Sequence, residues 1–360
     1  PRPPITLSIP MPGEISLNEE QEALREMSRD GRVLVFSGFE DDSSGSSLYL
    51  RRIDKPGIVP LPDTEGGLNP FLSPDGEWVA YFADGQIKKL QLGTTTAITV
   101  CSVPGTARGA TWGDDGTIVF PLHFQGGLMR VPAAGGEPVP LTELDPERKE
   151  RTHRWPHAVA QEDLILFTVG TMDSPESYDD ARIEAIRPST GERRTVLERA
   201  SMARYVSSGH LVFGREGFLF AVPFDVERLE VLGSPVPVLE GVRGMRSSGV
   251  VHAGFAGNGV MAYIPGSPRS LQSRMTIRSR DGSIQPVAAP TAGYVNPRIS
   301  PDRTQVALQV AGDASFDIWT YSFEHESTTR LTFEGMNTAP VWSPDGRRIA
   351  FSSVRNDALM

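Results

Sequence analysis

Residues 73–82 read Ser73-Pro74-Asp75-Gly76-Glu77-Trp78-Val79-Ala80-Tyr81-Phe82. The first four carry turn chemistry: Pro presets φ, Asp accepts hydrogen bonds from local amides, and Gly takes a positive φ. The last five form an apolar run of strand length. The phrase returns as Ser28-Arg29-Asp30-Gly31 before Val33–Phe36 and as Gly113-Asp114-Asp115-Gly116 before Ile118–Phe120. It returns again as Ser300-Pro301-Asp302 before Val306–Leu308 and as Ser343-Pro344-Asp345-Gly346 before Ile349–Phe351. Weaker copies stand at Gln161-Glu162-Asp163, Ser207-Ser208-Gly209 and Gly257-Asn258-Gly259. Asp30 and Asp345 are 315 residues apart, which is seven intervals of 45.

Each interval holds two further strand signals. A third-strand set runs Leu48–Ile53, Ile87–Leu92, Leu128–Val131, Arg182–Ile186, Phe218–Val222, Met275–Ile277 and Ile318–Phe323. A fourth-strand set runs Ile58–Leu61, Ala97–Val100, Pro138–Leu141, Arg194–Leu197, Pro235–Leu239, Ile284–Val287 and Thr329–Phe333. With the strand before each turn, every repeat has four strands, the content of a propeller blade. The expected fold is therefore all-β: one β-propeller domain over residues 1–360, with repeat turns near 30, 75, 115, 162, 208, 258, 302 and 345. Seven repeats are complete and the eighth is partial. A ring must close to protect its edge strands, so Ile5–Ile9 is expected to cross over into the last blade, with seven blades the alternative if it pairs elsewhere. Asn18–Met27 has helix-favouring composition, but its place before Ser28-Arg29-Asp30-Gly31 makes it an innermost strand.

Composition agrees with this class. The 360 residues include 36 Gly and 30 Pro, as a turn-rich chain requires. A net charge of −10 argues against a nucleic-acid surface. No apolar run reaches the 18 or so residues of a membrane span, so direct membrane insertion of this segment is not expected. The single cysteine, Cys101, excludes an internal disulfide.

Ser-Pro-Asp-Gly-x-x-(Ile/Val)-Ala-(Phe/Tyr), with Trp342 three residues before Asp345, resembles the TolB-type, WD-like propeller repeat. Phe71–Leu92, Gly109–Thr142, His153-Arg154-Trp155-Pro156, Gly217–Gly241 and Asp317–Phe351 resemble the propeller attached to bacterial transmembrane serine/threonine kinases. The resemblance implies an extracytoplasmic sensing or interaction module, with a cytoplasmic location left open. No kinase signature is present, and the Gly-x-Ser-x-Gly elbow of a peptidase partner is missing.

Candidate chemistry comes from the phase of the innermost strands, which line the channel of a propeller. Polar residues before each strand core give the set Asn69, Arg108, His153, Arg154, Arg204, His252, Asn296 and Asn337. Its basic members in an acidic chain point to a channel mouth that attracts a small anionic ligand, or a protein or peptide. The competing view is that these side chains cap strand ends and bond neighbouring blades. His153 and His157 have zinc-helix spacing, but on an extended strand they lie about 13 Å apart, so His153 and Arg154 are expected to line the channel while His157 packs between blades. Calcium-assisted ester or lactone hydrolysis is the alternative function; it needs carboxylates beside the amides, and none stands in the same phase. No cofactor is expected. The acidic loops Glu40–Gly45 and Asp173–Asp180 read as solvated loops, the second a possible contact loop.

Overall fold

The computed structural model describes residues 8–10, 15–17, 25–40, 45–103, 105, 108–123, 126–174, 177–266, 274–279, 282–311, 316–334, 336–355 and 358–359. Among them every regular element is a strand. They divide into two compact units, Pro1–Thr171 with Asp179–Pro268, and Met172–Tyr178 with Arg269–Met360.

Among the described residues unit 1 holds five sheets of four or five strands and then two two-stranded sheets, which are taken together as the sixth in chain order. The second is representative: Leu68–Leu72, Trp78–Ala83, Gln86–Gln91 and Ile98–Ser102 pair antiparallel in sequence order. The third (Thr111–Pro140), fourth (Glu150–Leu197) and fifth (Ser201–Glu240) follow the same meander. The first adds Ile15–Leu17 beside Val33–Glu40, where Arg25–Met27 takes the inner position. The sixth has only inner pairs, Gly244–Met245 with Val250–Val251 and Ala253–Phe255 with Met261–Tyr263.

The innermost strands of this unit neighbour one another in a closed cycle. Arg25–Met27 packs beside Leu68–Leu72, and so on through the third, fourth and fifth inner strands to the sixth sheet. Ala253–Phe255 of the sixth then packs against Arg25–Met27. Hydrogen bonds seal the junction, from Gly257 N to Arg29 O at 2.9 Å and from Asn258 Nδ2 to Asp30 O at 2.7 Å. Six sheets thus close on themselves, where eight repeats led us to expect a ring of eight. The expected crossover strand Ile5–Ile9 lies largely outside the described residues; Ile9 packs against Met27, Leu34, Phe36 and Tyr49 of the first sheet. Of Asn18–Met27, residues 18–24 lie outside the described residues and Arg25–Met27 is the inner strand anticipated.

Unit 2 holds the hairpin Thr276–Arg278 with Ile284–Pro286. It also holds a seventh sheet, Gly293–Ile299, Gln305–Ala311, Phe316–Ser322 and Ser327–Arg330. Its last sheet has Met336–Trp342, Ile349–Arg355 and Ala358–Leu359. The hairpin is the outer pair expected of the sixth repeat. Met275 and Val287 instead pack on the seventh sheet, against the cluster of Val306, Leu308 and Tyr321.

The repeated turn works as its residues dictate, with one addition. Ser73 Oγ donates to Asp75 Oδ1 at 2.5 Å and accepts from Trp78 N at 2.9 Å, while Asp75 Oδ1 accepts from Glu77 N at 3.0 Å. Ser28–Asp30, Ser300–Asp302 and Ser343–Asp345 repeat this bonding. Each of these carboxyls is held below its ordinary range, first by the Ser hydroxyl. The serine therefore joins the hairpin to the following strand.

A second shared feature sets the aim of the inner side chains. Five inner strands carry one extra residue against their partner, between Leu68 and Phe71, Arg154 and His157, Ser201 and Arg204, Val295 and Arg298, and Thr338 and Val341. The first residue of each extra stretch is left-handed: Asn69 (φ 47°), Trp155 (54°), Met202 (52°), Asn296 (51°) and Ala339 (54°). A bulge of this kind bends the strand and redirects the side chains beyond it.

Candidate functional site in the first unit

The bulge defines a common register. Two positions past the left-handed residue stand Phe71, His157 and Arg204, opposite Ala80, Leu166 and Val212. The corresponding positions in the other sheets, four residues before the turn Asp or Asn, are Glu26 opposite Val35, Thr111 opposite Val119, and Gly254 opposite Ala262. One register of unit 1 therefore carries a carboxylate, a hydroxyl, an imidazole and a guanidinium, with Gly254 at the corresponding position of the sixth sheet.

The ring lies between two layers. Toward the turns, Arg29 Nη1 meets Asp114 Oδ1 at 2.6 Å, joining the first sheet to the third. Asp114 Oδ2 accepts from Gln161 N at 2.7 Å, and Ser207 Oγ donates to Gly257 O. This layer is partly exposed and forms a mouth. On the other side lies Trp155, fully enclosed. Its Nε1 donates to Ser248 O at 2.7 Å and its backbone N to Arg108 O at 2.9 Å, so the indole spans the middle as a floor. Gly109, with φ 82°, has no room for a Cβ, which would come within 2.6 Å of that ring.

Electrostatics mark this ring out. Arg204 is 8% exposed, and its Nη1 donates to Ala203 O at 3.1 Å and Trp155 O at 3.4 Å. Among the described residues no carboxylate pairs with it. Glu26 makes no side-chain hydrogen bond among the described residues. Burial pushes its carboxyl up to about 7, against the pull of Arg204 and Arg29. His157 is pushed down to about 3 by burial, then by Arg204, so the imidazole is neutral. Glu26 and His157 nevertheless keep some accessible surface, as side chains lining a narrow interior do.

The expected site residues fall in several phases of this frame rather than one. Asn69 and Asn296 are the left-handed residues themselves. Arg108 and Arg154 precede that position, on the floor side; Arg154 Nη1 reaches Ser248 O at 3.4 Å beside the indole. His252 is enclosed in the sixth sheet, its N donating to Arg243 O at 2.9 Å. Arg204 alone among the eight lies on the ring. In unit 2, Asn296 Nδ2 donates to Gln309 Oε1 at 3.0 Å and Asn337 Nδ2 to Glu334 O at 2.9 Å.

Of the two histidines, His153 leaves its expected place on the channel and His157 keeps its own. His153 turns into the fourth sheet, where Nδ1 meets Thr142 Oγ1 at 2.7 Å, Nε2 meets Glu150 Oε2 at 2.9 Å, and the ring packs on Phe167. Glu150 and Glu184, both fully enclosed, share Arg182, Arg193 and Arg148 there. Both carboxyls are held well below their usual range by His153 and the arginines, against the opposing effect of burial. This network is a structural joint. His157 is placed as expected: its ring bonds the Tyr205 backbone of the neighbouring fifth sheet, and the residue that Trp155 adds shifts the alternation of this strand. Glu26 was missed for a related reason: it supplies the carboxylate the channel phase lacked, and its distance to Asp30 was the available signal. Of the acidic loops, residues 41–44 and 175–176 lie outside the described residues. Asp179 pairs with Arg246, and Asp180 accepts from Thr171 Oγ1 at 3.0 Å, so the end of the second loop is tied down.

Among the described residues no three His, Cys, Asp or Glu side chains gather as metal ligands. Unit 2 has an open groove of about 380 Å³ where Ile318, Leu331 and Trp342 meet Gln305, Thr320 and Arg347.

No protein-family model and no curated relative matches the sequence. Solved structures with a similar fold include a putative TolB from Agrobacterium tumefaciens at 18% identity, covering 48% of this chain and 65% of that one (TM-score 0.41). An oligogalacturonate lyase in complex with manganese is similar at 16% identity over 96% of this chain and 88% of the other (0.46). The β-propeller domain of the Trilobed protease from Pyrococcus furiosus is similar at 14% identity over 86% and 98% (0.42). This chain thus spans about two thirds of the Agrobacterium protein. Its own repeat, its antiparallel four-stranded sheets and the cyclic order of unit 1 are those of a TolB-like β-propeller architecture.

Proposed function

We propose that this chain is a non-enzymatic binding module that takes the anionic group of a small ligand through the mouth of unit 1 onto Arg204. The supporting observation is Arg204 itself, a deeply placed cation that meets backbone carbonyls and, among the described residues, no carboxylate. A fixed charge in a low-dielectric interior attracts an anion far more strongly than one in water. Thr111 adds a hydroxyl, whose oxygen accepts from Ala158 N at 3.0 Å and whose proton is left to donate. The Arg29–Asp114 pair at the mouth is exposed and worth less than about 1 kcal/mol, so it opens readily. In a longer protein of the kinase-associated kind that the repeats resemble, such a site would serve sensing on the extracytoplasmic side. No helix among the described residues is long and apolar enough to cross a membrane.

Calorimetric titration with sulfate and with acetate at pH 6 tests this. Wild type should bind, and Arg204→Gln should lose at least tenfold in affinity. Equal affinity in both, or no binding to wild type, would overturn the reading.

A hydrolase at the same ring is the second reading. Glu26, held near 7 by burial, has the protonation balance of a general base at neutral pH. It predicts turnover of simple esters or lactones that Glu26→Gln abolishes.

A further inference from the structure

We propose that Glu26 couples anion capture at Arg204 to the uptake of one proton, so that the site binds an anion and a proton together. This rests on the anion-binding reading above. Glu26 and Arg204 occupy the same register of the ring, on the inner strands of the first and fifth sheets, and feel each other electrostatically without an ion pair. An anion arriving at Arg204 therefore comes close to Glu26. If Glu26 is ionised, two negative charges share one cation in a poorly solvated space, an arrangement that forces a proton onto one of them. Sulfate, or the carboxylate of a stronger acid, keeps its charge; the proton goes from solvent to the Glu26 carboxyl. Nothing is oxidised or reduced and no covalent bond to the ligand forms. The neutral carboxyl, formerly an acceptor, becomes a hydrogen-bond donor toward the anion.

The surroundings leave Glu26 as the group that titrates. Arg25–Met27 packs against Val33–Glu40, Leu68–Leu72, Ala253–Phe255 and Met261–Tyr263. Leu68–Leu72 and Ala253–Phe255 carry no titratable side chain, Met261–Tyr263 carries only Tyr263, and Glu40 stands at the far end of its strand, paired with Ile15. Across the ring stand Arg204 and His157, with Tyr205 next along the strand, and Arg29 with its partner Asp114 at the mouth. Burial pulls the Arg204 guanidinium down, with Glu26 opposing, but a guanidinium starts so far above neutrality that it stays charged. His157 titrates far below neutrality. Asp114 is held low by Arg29 and the Gln161 amide, although burial opposes them. The free Glu26 carboxyl sits near 7, so the coupling falls at neutral to mildly alkaline pH.

Sulfate has no proton equilibrium between pH 6 and 9, which makes it the probe. Its affinity for wild type should be flat below pH 6.5 and fall close to tenfold between pH 7.5 and 8.5. Calorimetry at pH 8 in two buffers of different ionisation enthalpy should report close to one proton taken up per sulfate, a reading that needs no variant. Glu26→Gln should bind sulfate with no pH slope, and His157→Asn should keep the slope. Sulfate binding that is lost in Arg204→Gln but shows no pH slope and no proton uptake in wild type would overturn the coupling and leave the binding site standing. A slope that persists in Glu26→Gln would overturn it as well. No sulfate binding to wild type at any pH would overturn both the coupling and the binding reading beneath it.

Discussion

The same register position has opposite fates in the two units. In unit 1 it holds Glu26, His157 and Arg204, drawn deep into the interior, with the carboxyl shifted by more than two pH units. In unit 2 it holds Arg298 and Val341, and both are exposed, Val341 at 54%. The local code is shared. Both units use the Ser–Asp turn, and both use the one-residue bulge with a left-handed first residue. Enclosure differs: six inner strands close a cycle in unit 1, whereas unit 2, with three sheets among the described residues, leaves Ile299, Leu331 and Phe333 exposed. A repeat sequence therefore aims side chains, but only a closed set of neighbours changes their chemistry.

The largest effect that would sharpen this contrast is expected in the fourth sheet. Glu150→Ala takes the carboxylate from His153 and leaves Arg182 and Arg193 to share Glu184 alone. Removing one partner of a buried ionic set costs about 3–5 kcal/mol, visible in a denaturant titration. In unit 2 the corresponding test is Arg330→Ala, which removes the half-exposed partner of Asp317 and should cost about 1 kcal/mol. Equal costs would break the comparison. The sign with pH follows from the lowered Glu150 and Glu184 carboxyls: their contribution is complete above the ordinary glutamate range and is lost as acid reaches the folded values.

Next comes Glu26. Its raised carboxyl opposes folding once the unfolded chain ionises, from near pH 4.3 up to about 7, and by a constant amount above that. Relative to wild type, Glu26→Gln should therefore gain about 3 kcal/mol of stability between pH 4 and pH 8. A pH-independent difference would mean that Glu26 is solvated like a surface residue.

Much of this fold was legible in the sequence, and the reason is local. Ser-Pro-Asp-Gly closes a hairpin by contacts within five residues, so strand positions followed directly; Arg182–Ile186 was located to the residue. Inner-strand phase was less legible. The bulge adds one residue without a common residue type, since Asn69, Trp155, Met202 and Ala339 all occupy it. Counting from the strand start therefore mixed several faces, and put His153 on the channel when it belongs to the ionic network of the fourth sheet. Counting back from the turn would have aligned Glu26 with Arg204. Ring closure was not legible, because the contact of Gly257 and Asn258 with Arg29 and Asp30 joins residues more than 200 apart.

Smaller effects separate the units at the bulge itself. Gly109→Ala must accommodate both a left-handed backbone and the Trp155 ring, and should cost about 2 kcal/mol in thermal unfolding. Ala339→Gly removes strain at the equivalent place in unit 2 and should be neutral or stabilise by up to about 1 kcal/mol. Smallest of all, Arg29→Ala at the mouth should change stability by less than about 1 kcal/mol, while raising the rate at which sulfate reaches the ring in stopped-flow mixing.

The central claim is that unit 1 holds an anion on Arg204. Anomalous diffraction from crystals grown in bromide at pH 6 tests it most directly. The account predicts a peak within hydrogen-bond distance of the Arg204 guanidinium, between Thr111 and His157. Peaks confined to exposed arginines such as Arg298, with none at Arg204, would contradict it.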